Sequence, residues 1–93
     1  MDIENPRIKI NEGRPNLLLS IDGKECYVFW EQKAHLLTNG QLYVGGESPG
    51  ITDDPRIYAL FNLMMAVSKA RRHELQANCE VELKLPSHWW VWM

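Results

Sequence analysis

The sequence predicts an α+β domain in which one amphipathic helix packs on one face of an antiparallel sheet of about five to six strands, in the chain order β-β-β-β-β-α-β. Three observations carry this expectation. Short apolar runs with strand character recur along the chain as RIKI, LLLSI, ECYVFW, AHLLT, QLYVG and CEVELKL. Asp22-Gly23 and Asn39-Gly40, pairs that tolerate the positive φ of type I′ turns, stand between neighbouring runs. The segment PRIYALFNLMMAVSKARRHELQ has helical spacing and begins with helix-start residues. A chain of 93 residues, 45% hydrophobic and 24% charged, fits one globular domain over 1–93. A domain of this size buries only about 60–65% of the surface its unfolded chain exposes.

RIKI alternates charge with isoleucine, the period of a strand with one buried face, and reads as an edge strand. The turn cluster NEGRPN leads to LLLSI. Asp22-Gly23 then sets a register that pairs Leu19 with Cys26, Leu17 with Val28 and Leu18 with Tyr27. Apolar groups on both faces put this hairpin at the centre of the sheet. Asn39-Gly40 predicts a second hairpin, pairing Leu37 with Leu42 and His35 with Val44. After the loop GGESPGITDD, Asp54 suits the helix N-cap and Pro55 the first helical position, while Lys69, Arg71 and Arg72 suit the negative C-terminal end. Ile57, Leu60, Phe61, Met64, Val67 and Leu75 form the expected buried stripe, leaving Tyr58, Asn62, Met65, Lys69 and Arg72 opposite. Past Asn78, a helix stop, CEVELKL points Cys79, Val81, Leu83 and Leu85 inward until Pro86 ends the strand.

A formal charge of −2 gives no general attraction to nucleic acid or anionic membrane, and is too small for a duplex-DNA mimic. The N-terminal MDIENPR is acidic where a signal peptide is basic, and YALFNLMMAV falls short of the ~20 residues that span a bilayer. A cytoplasmic protein without membrane contact is expected, with Cys26 and Cys79 as buried thiols.

Motifs for catalysis fail on their chemistry. Gly46-Glu47-Ser48-Pro49-Gly50 spells the G-x-S-x-G nucleophile elbow, but the oxyanion donor would be the N–H of Pro49, which has none. The same glycines before a helix suggest an anion cradle, yet Asp53 and Asp54 occupy that positive end themselves. Cys26 with His35 and Cys79 with His88 lack the tight spacing of zinc-ligand pairs. Glu80 and Glu82 read as a solvated strand face beside Lys84. No enzyme, metal or cofactor is expected.

Recognition residues remain. The exposed helix positions Tyr58, Met65, Lys69 and Arg72 form one candidate surface. The ending LPSHWWVWM supplies another, because three of the four tryptophans lie in the last five residues and Trp90 and Trp92 share a face with His88. The expected function is a small non-enzymatic protein–protein interaction module, of the kind phages and mobile elements use to bind and inhibit host machinery, anti-CRISPR-like. The alternative is single-stranded nucleic-acid binding through the basic run SKARRH at 68–73 and the aromatics.

Overall fold

The computed structural model describes residues 2–31, 41–47 and 49–85. Its strands are β1 (Ile3–Asn11), β2 (Arg14–Ile21), β3 (Lys24–Glu31), β4 (Gln41–Gly46), β5 (Gly50–Ile51) and β6 (Glu80–Glu82), with one helix, α1 (Pro55–Ala70), between the last two. They form a single sheet in the order β5-β4-β3-β2-β1-β6, and every neighbouring pair is antiparallel. The α+β class and the element order are those the sequence predicts.

The helix covers the face on which the strands present their apolar alternation. Ile57, Leu60, Phe61 and Met64 meet Ile8, Leu17, Leu19, Cys26, Val28 and Leu42 in one buried core. Withdrawing each such large aliphatic or aromatic side chain from water contributes about 1.5–3 kcal/mol, which is why the stripe at i, i+3, i+4 and i+7 sets the docking face. Val67 and Leu75 pack against this core from its margin, and Ser68 takes the buried position beyond Met64, its hydroxyl 3.6 Å from the Met64 sulfur.

The central hairpin has the predicted register. Asp22 and Gly23 both adopt positive φ, 51° and 82°, and the ladder pairs Leu19 with Cys26, Leu18 with Tyr27 and Leu17 with Val28. A second two-residue turn, Glu12-Gly13, lies inside the NEGRPN cluster, with φ of 53° and 75°, so β2 starts at Arg14, directly opposite Asn11. Glutamate is poorly suited to this left-handed position, which asparagine favours. Glu12→Asn should therefore raise stability by about 0.5–1 kcal/mol, part of the left-handed penalty of an ordinary residue, and move the urea midpoint upward. An unchanged or lower midpoint would argue against this turn.

Three strand expectations are corrected. RIKI is not an edge: β1 lies between β2 and β6, because the chain returns after the helix to pair Arg7 with Glu82, Ile8 with Val81 and Lys9 with Glu80. Among the described strands the edges are instead the two shortest, β5 and β6. Second, QLYVG pairs with ECYVFW, setting Leu42 opposite Trp30 and Val44 opposite Val28, in place of the expected partners Leu37 and His35. Residues 32–40, with AHLLT and Asn39-Gly40, lie outside the described residues. Third, the fifth strand comes from the loop GGESPGITDD, where Ile51 pairs with Tyr43 and Gly50 with Val44. Two residues are too few to leave a periodic signal.

The start of β1 carries a bulge. The register shifts between Glu4 and Arg7, Asn5 takes a φ of 53°, and Pro6, unable to donate to a ladder, is accommodated in the irregular stretch. Its carbonyl accepts the Leu83 N–H at 2.9 Å, which ties the segment after β6 to the sheet and buries Leu83. Cys26 is buried as expected, whereas Cys79 is only half-buried beside the core; both are free thiols.

The helix begins as the sequence predicts. Asp54 is the N-cap, its Oδ1 accepts the Arg56 N–H at 2.9 Å, and Pro55 occupies the first turn. The Arg56 guanidinium, hydrogen-bonded to the same carboxylate, holds Asp54 below its ordinary value near 3.8. A depressed carboxylate contributes stability that is complete above its unfolded value and is lost as pH falls through the lower folded value. Asp54→Ala should cost about 1 kcal/mol at neutral pH and flatten the acid side of the stability curve below about pH 4, measured by urea unfolding across pH. Asp54→Asn, which keeps the cap and removes the titration, should flatten the curve at a smaller cost. A helix as long as PRIYALFNLMMAVSKARRHELQ is not formed: it ends at Ala70, and Arg71 closes it with its N–H on Val67 O. The chain then turns over 71–74, and this turn brings Leu75 back to the core.

Candidate functional site

The site follows from one proline. In the ladder between β1 and β2, Ile10 sits opposite Pro15, and the Ile10 N–H is directed away from β2, toward Cys79 O at 2.9 Å. Antiparallel pairs alternate between exchanging both hydrogen bonds and exchanging none, so Pro15 directs its nitrogen the other way, toward β3. There the residue across from it is Trp30, two positions beyond the Leu17–Val28 pair, in a place where the ladder needs a donor that proline lacks. The pairing of β2 with β3 accordingly stops at Leu17–Val28. β3 continues to pair with β4 as far as Glu31, and β2 with β1 as far as Arg14, so the sheet parts in its middle.

The parting opens a cleft of about 750 Å³ that draws its lining from both faces of the sheet. From the helix side come Trp30, Phe61 and Met65; from the open side come Leu18, Tyr27 and Phe29, with Lys9, Asn11, Arg14 and Asn16 on the β1–β2 wall. Trp30 meets Phe61 edge-on, the ring centroids 5.4 Å apart and the planes at 83°. Across the open face Phe29 stacks on Tyr27 at 5.8 Å and leans on Tyr43 at 5.3 Å. Tyr27 in turn lies over Gly45, where a Cβ would come within 2.5 Å of its ring. These contacts fix large flat surfaces beside the opening. Among the described residues, four large apolar side chains are markedly exposed, Tyr27 at 46%, Trp30 at 47%, Met65 at 42% and Ile51 at 50%, and three of the four line this cleft.

The charge of the cleft is one-sided. Among the described residues its lining includes Lys9 and Arg14 and no carboxylate. Lys9 donates to Asn78 O at 3.1 Å, while Arg14 makes no ion pair with another described residue. Elsewhere on the open face the balance reverses. Arg7 donates to Glu80 at 2.8 Å and also to Glu25, and although burial opposes its charge, these two carboxylates raise it above the ordinary arginine value. The register places Glu4, Glu25, Glu80 and Glu82 on that face.

The residues singled out from the sequence divide. Met65 lines the cleft, with Lys69 one helical turn further along the same exposed row and Arg72 just past the helix end, both exposed. Tyr58 is half-buried against the core. Trp90 and Trp92 lie outside the described residues, as do Ser48, His35 and His88. Within SKARRH, Ser68 is buried and Arg71 pairs with Glu74 at 2.7 Å, which leaves Lys69, Arg72 and His73 facing solvent. Among the described residues no group of three His, Cys, Asp or Glu could hold a metal ion, and no helix is long and apolar enough to cross a membrane. The cleft residues Arg14, Pro15, Tyr27, Phe29 and Trp30 escaped the sequence reading. The available signal was Pro15 just before an apolar run bound for the sheet centre, a position where a missing N–H has to interrupt a ladder.

The sequence matches no family model, and no curated protein or solved structure matches it either.

Proposed function

We propose that this chain is a small non-enzymatic protein-interaction module that engages its partner through the cleft between β2 and β3. The observation that carries the reading is the convergence of Tyr27, Trp30 and Met65, all exposed, on one opening of about 750 Å³. Aromatic and methionine side chains that stay in water cost free energy in the unbound molecule and return it on docking, which is why such residues dominate binding hot spots. The charged and amide side chains of the lining, two cations and two asparagines, have the chemistry of recognition: each offers hydrogen bonds, and none is a nucleophile placed beside a base. Nucleic acid is the weaker reading on electrostatic grounds. A phosphodiester strand presents a charge at every nucleotide, whereas the described cations of the cleft are Lys9 and Arg14, and the register sets Glu4, Glu25, Glu80 and Glu82 on the same face. The size of the chain and its aromatic surface suit a stoichiometric cytoplasmic inhibitor of the phage or mobile-element kind.

The test is affinity capture from nuclease-treated host lysate with the intact protein and with Trp30→Ala. A protein retained by the first and lost by the second, at equal melting temperature, is the expected result. Retention that depends on intact nucleic acid, or that ignores Trp30, would count against the reading.

A further inference from the structure

We infer that the notch opened by Pro15 takes an acidic, extended segment of the partner protein, with a large apolar side chain between Trp30, Phe61 and Met65 and a carboxylate on Arg14. The inference rests on the interaction reading above and specifies the ligand of the same site.

Three features of the notch select this chemistry. The first is charge: Lys9 and Arg14 border it and no carboxylate stands among the described lining residues, although the chain as a whole is net negative. Arg14 is exposed and makes no ion pair with another described residue, so its guanidinium is available to a carboxylate in the paired geometry arginine favours. The second is shape. The apolar part of the lining is concave and aromatic, and its volume admits one large side chain with the backbone on either side. The third is the backbone. Trp30 directs its N–H and C=O toward Pro15, and no ladder bond forms there because the pairing ends at Leu17–Val28. An extended peptide can take up this donor and acceptor, as strands do when they add to a free edge. Two cations satisfy one or two carboxylates; they do not neutralise a run of phosphates.

The experiment selects a displayed random dodecapeptide library on the intact protein. It then measures the enriched peptides, and an oligothymidylate, against wild type, Arg14→Glu and Pro15→Val. Arg14→Glu reverses the rim charge without removing a described ion pair. Pro15→Val restores the N–H that Trp30 lacks, letting the ladder extend and the notch close. Enriched peptides should carry Asp or Glu close to Trp, Phe or Leu. Their affinity should fall about tenfold or more in each variant, with melting temperature held in Arg14→Glu and held or raised in Pro15→Val. Peptides that are enriched but not acidic, or that bind both variants as well as wild type, overturn the inference and leave the interaction reading standing. If no peptide is enriched and oligothymidylate binds, both fall together.

Discussion

Leu60→Ala should lower the unfolding free energy by about 2–5 kcal/mol, while Met65→Ala, little more than a helical turn away, should change it by no more than about 0.5 kcal/mol. Leu60 has no exposed surface and sits where α1 meets the sheet, in one cluster with Leu17, Leu19 and Val28. Truncating it removes the transfer free energy of the side chain and leaves a cavity that rigid strands on one side and a helix on the other are slow to fill. Against a total of about 5–15 kcal/mol for a small domain, that loss takes a large share of the stability. Met65 is exposed, and its removal takes little from the core. Urea unfolding of the two variants side by side measures the difference. Equal losses, or a larger one at Met65, would mean that the helix presents a different face to the sheet and that the cleft has lost one of its walls.

The legibility of this fold varied with how local each signal was. The Asp22-Gly23 turn specifies its hairpin because positive φ at two adjacent positions and a two-residue connection leave one register, and every pair read from it is present. The helix start was equally plain, since Asp54 and Pro55 act through their own backbone neighbours. Long-range choices were less visible. The alternation in RIKI identifies which residues turn inward, but an interior β1 depends on β6 returning from beyond the helix, and nothing within four residues encodes that. The Asn39-Gly40 signal suggested AHLLT as the partner of QLYVG, while the ladder along β4 runs to β3. The site was the least legible part. Its side chains come from three strands and a helix, and each reads as ordinary core or surface until the register shows that Pro15 faces Trp30. Met65 was singled out for its exposure alone, and its place beside Trp30 and Phe61 emerges only from the packing of α1 across the parted strands.

The register of β4 has its own sharp test, because it presses Gly46 against the backbone of β3. Gly46 pairs with Cys26, has a φ of 98°, and an added Cβ would lie 2.9 Å from the Glu25 carbonyl oxygen and 3.4 Å from the Cys26 Cα. Two costs then coincide. An L-residue held in a left-handed conformation loses roughly 1–2 kcal/mol, and the obstructing atoms belong to a main chain already engaged in the sheet, so they cannot swing aside as a side-chain tip would. Gly46→Ala should therefore destabilise by about 2–3 kcal/mol, summing the conformational penalty and a shift of the strand. The neighbouring substitution provides the contrast. At Gly45 the added methyl meets the ring of Tyr27, a side chain 46% exposed that can rotate away, so Gly45→Ala should cost less in stability and act mainly by displacing that ring from the cleft. Thermal and urea unfolding of both variants decides the matter: a Gly46→Ala protein as stable as wild type would mean that β4 does not lie against β3 in this register.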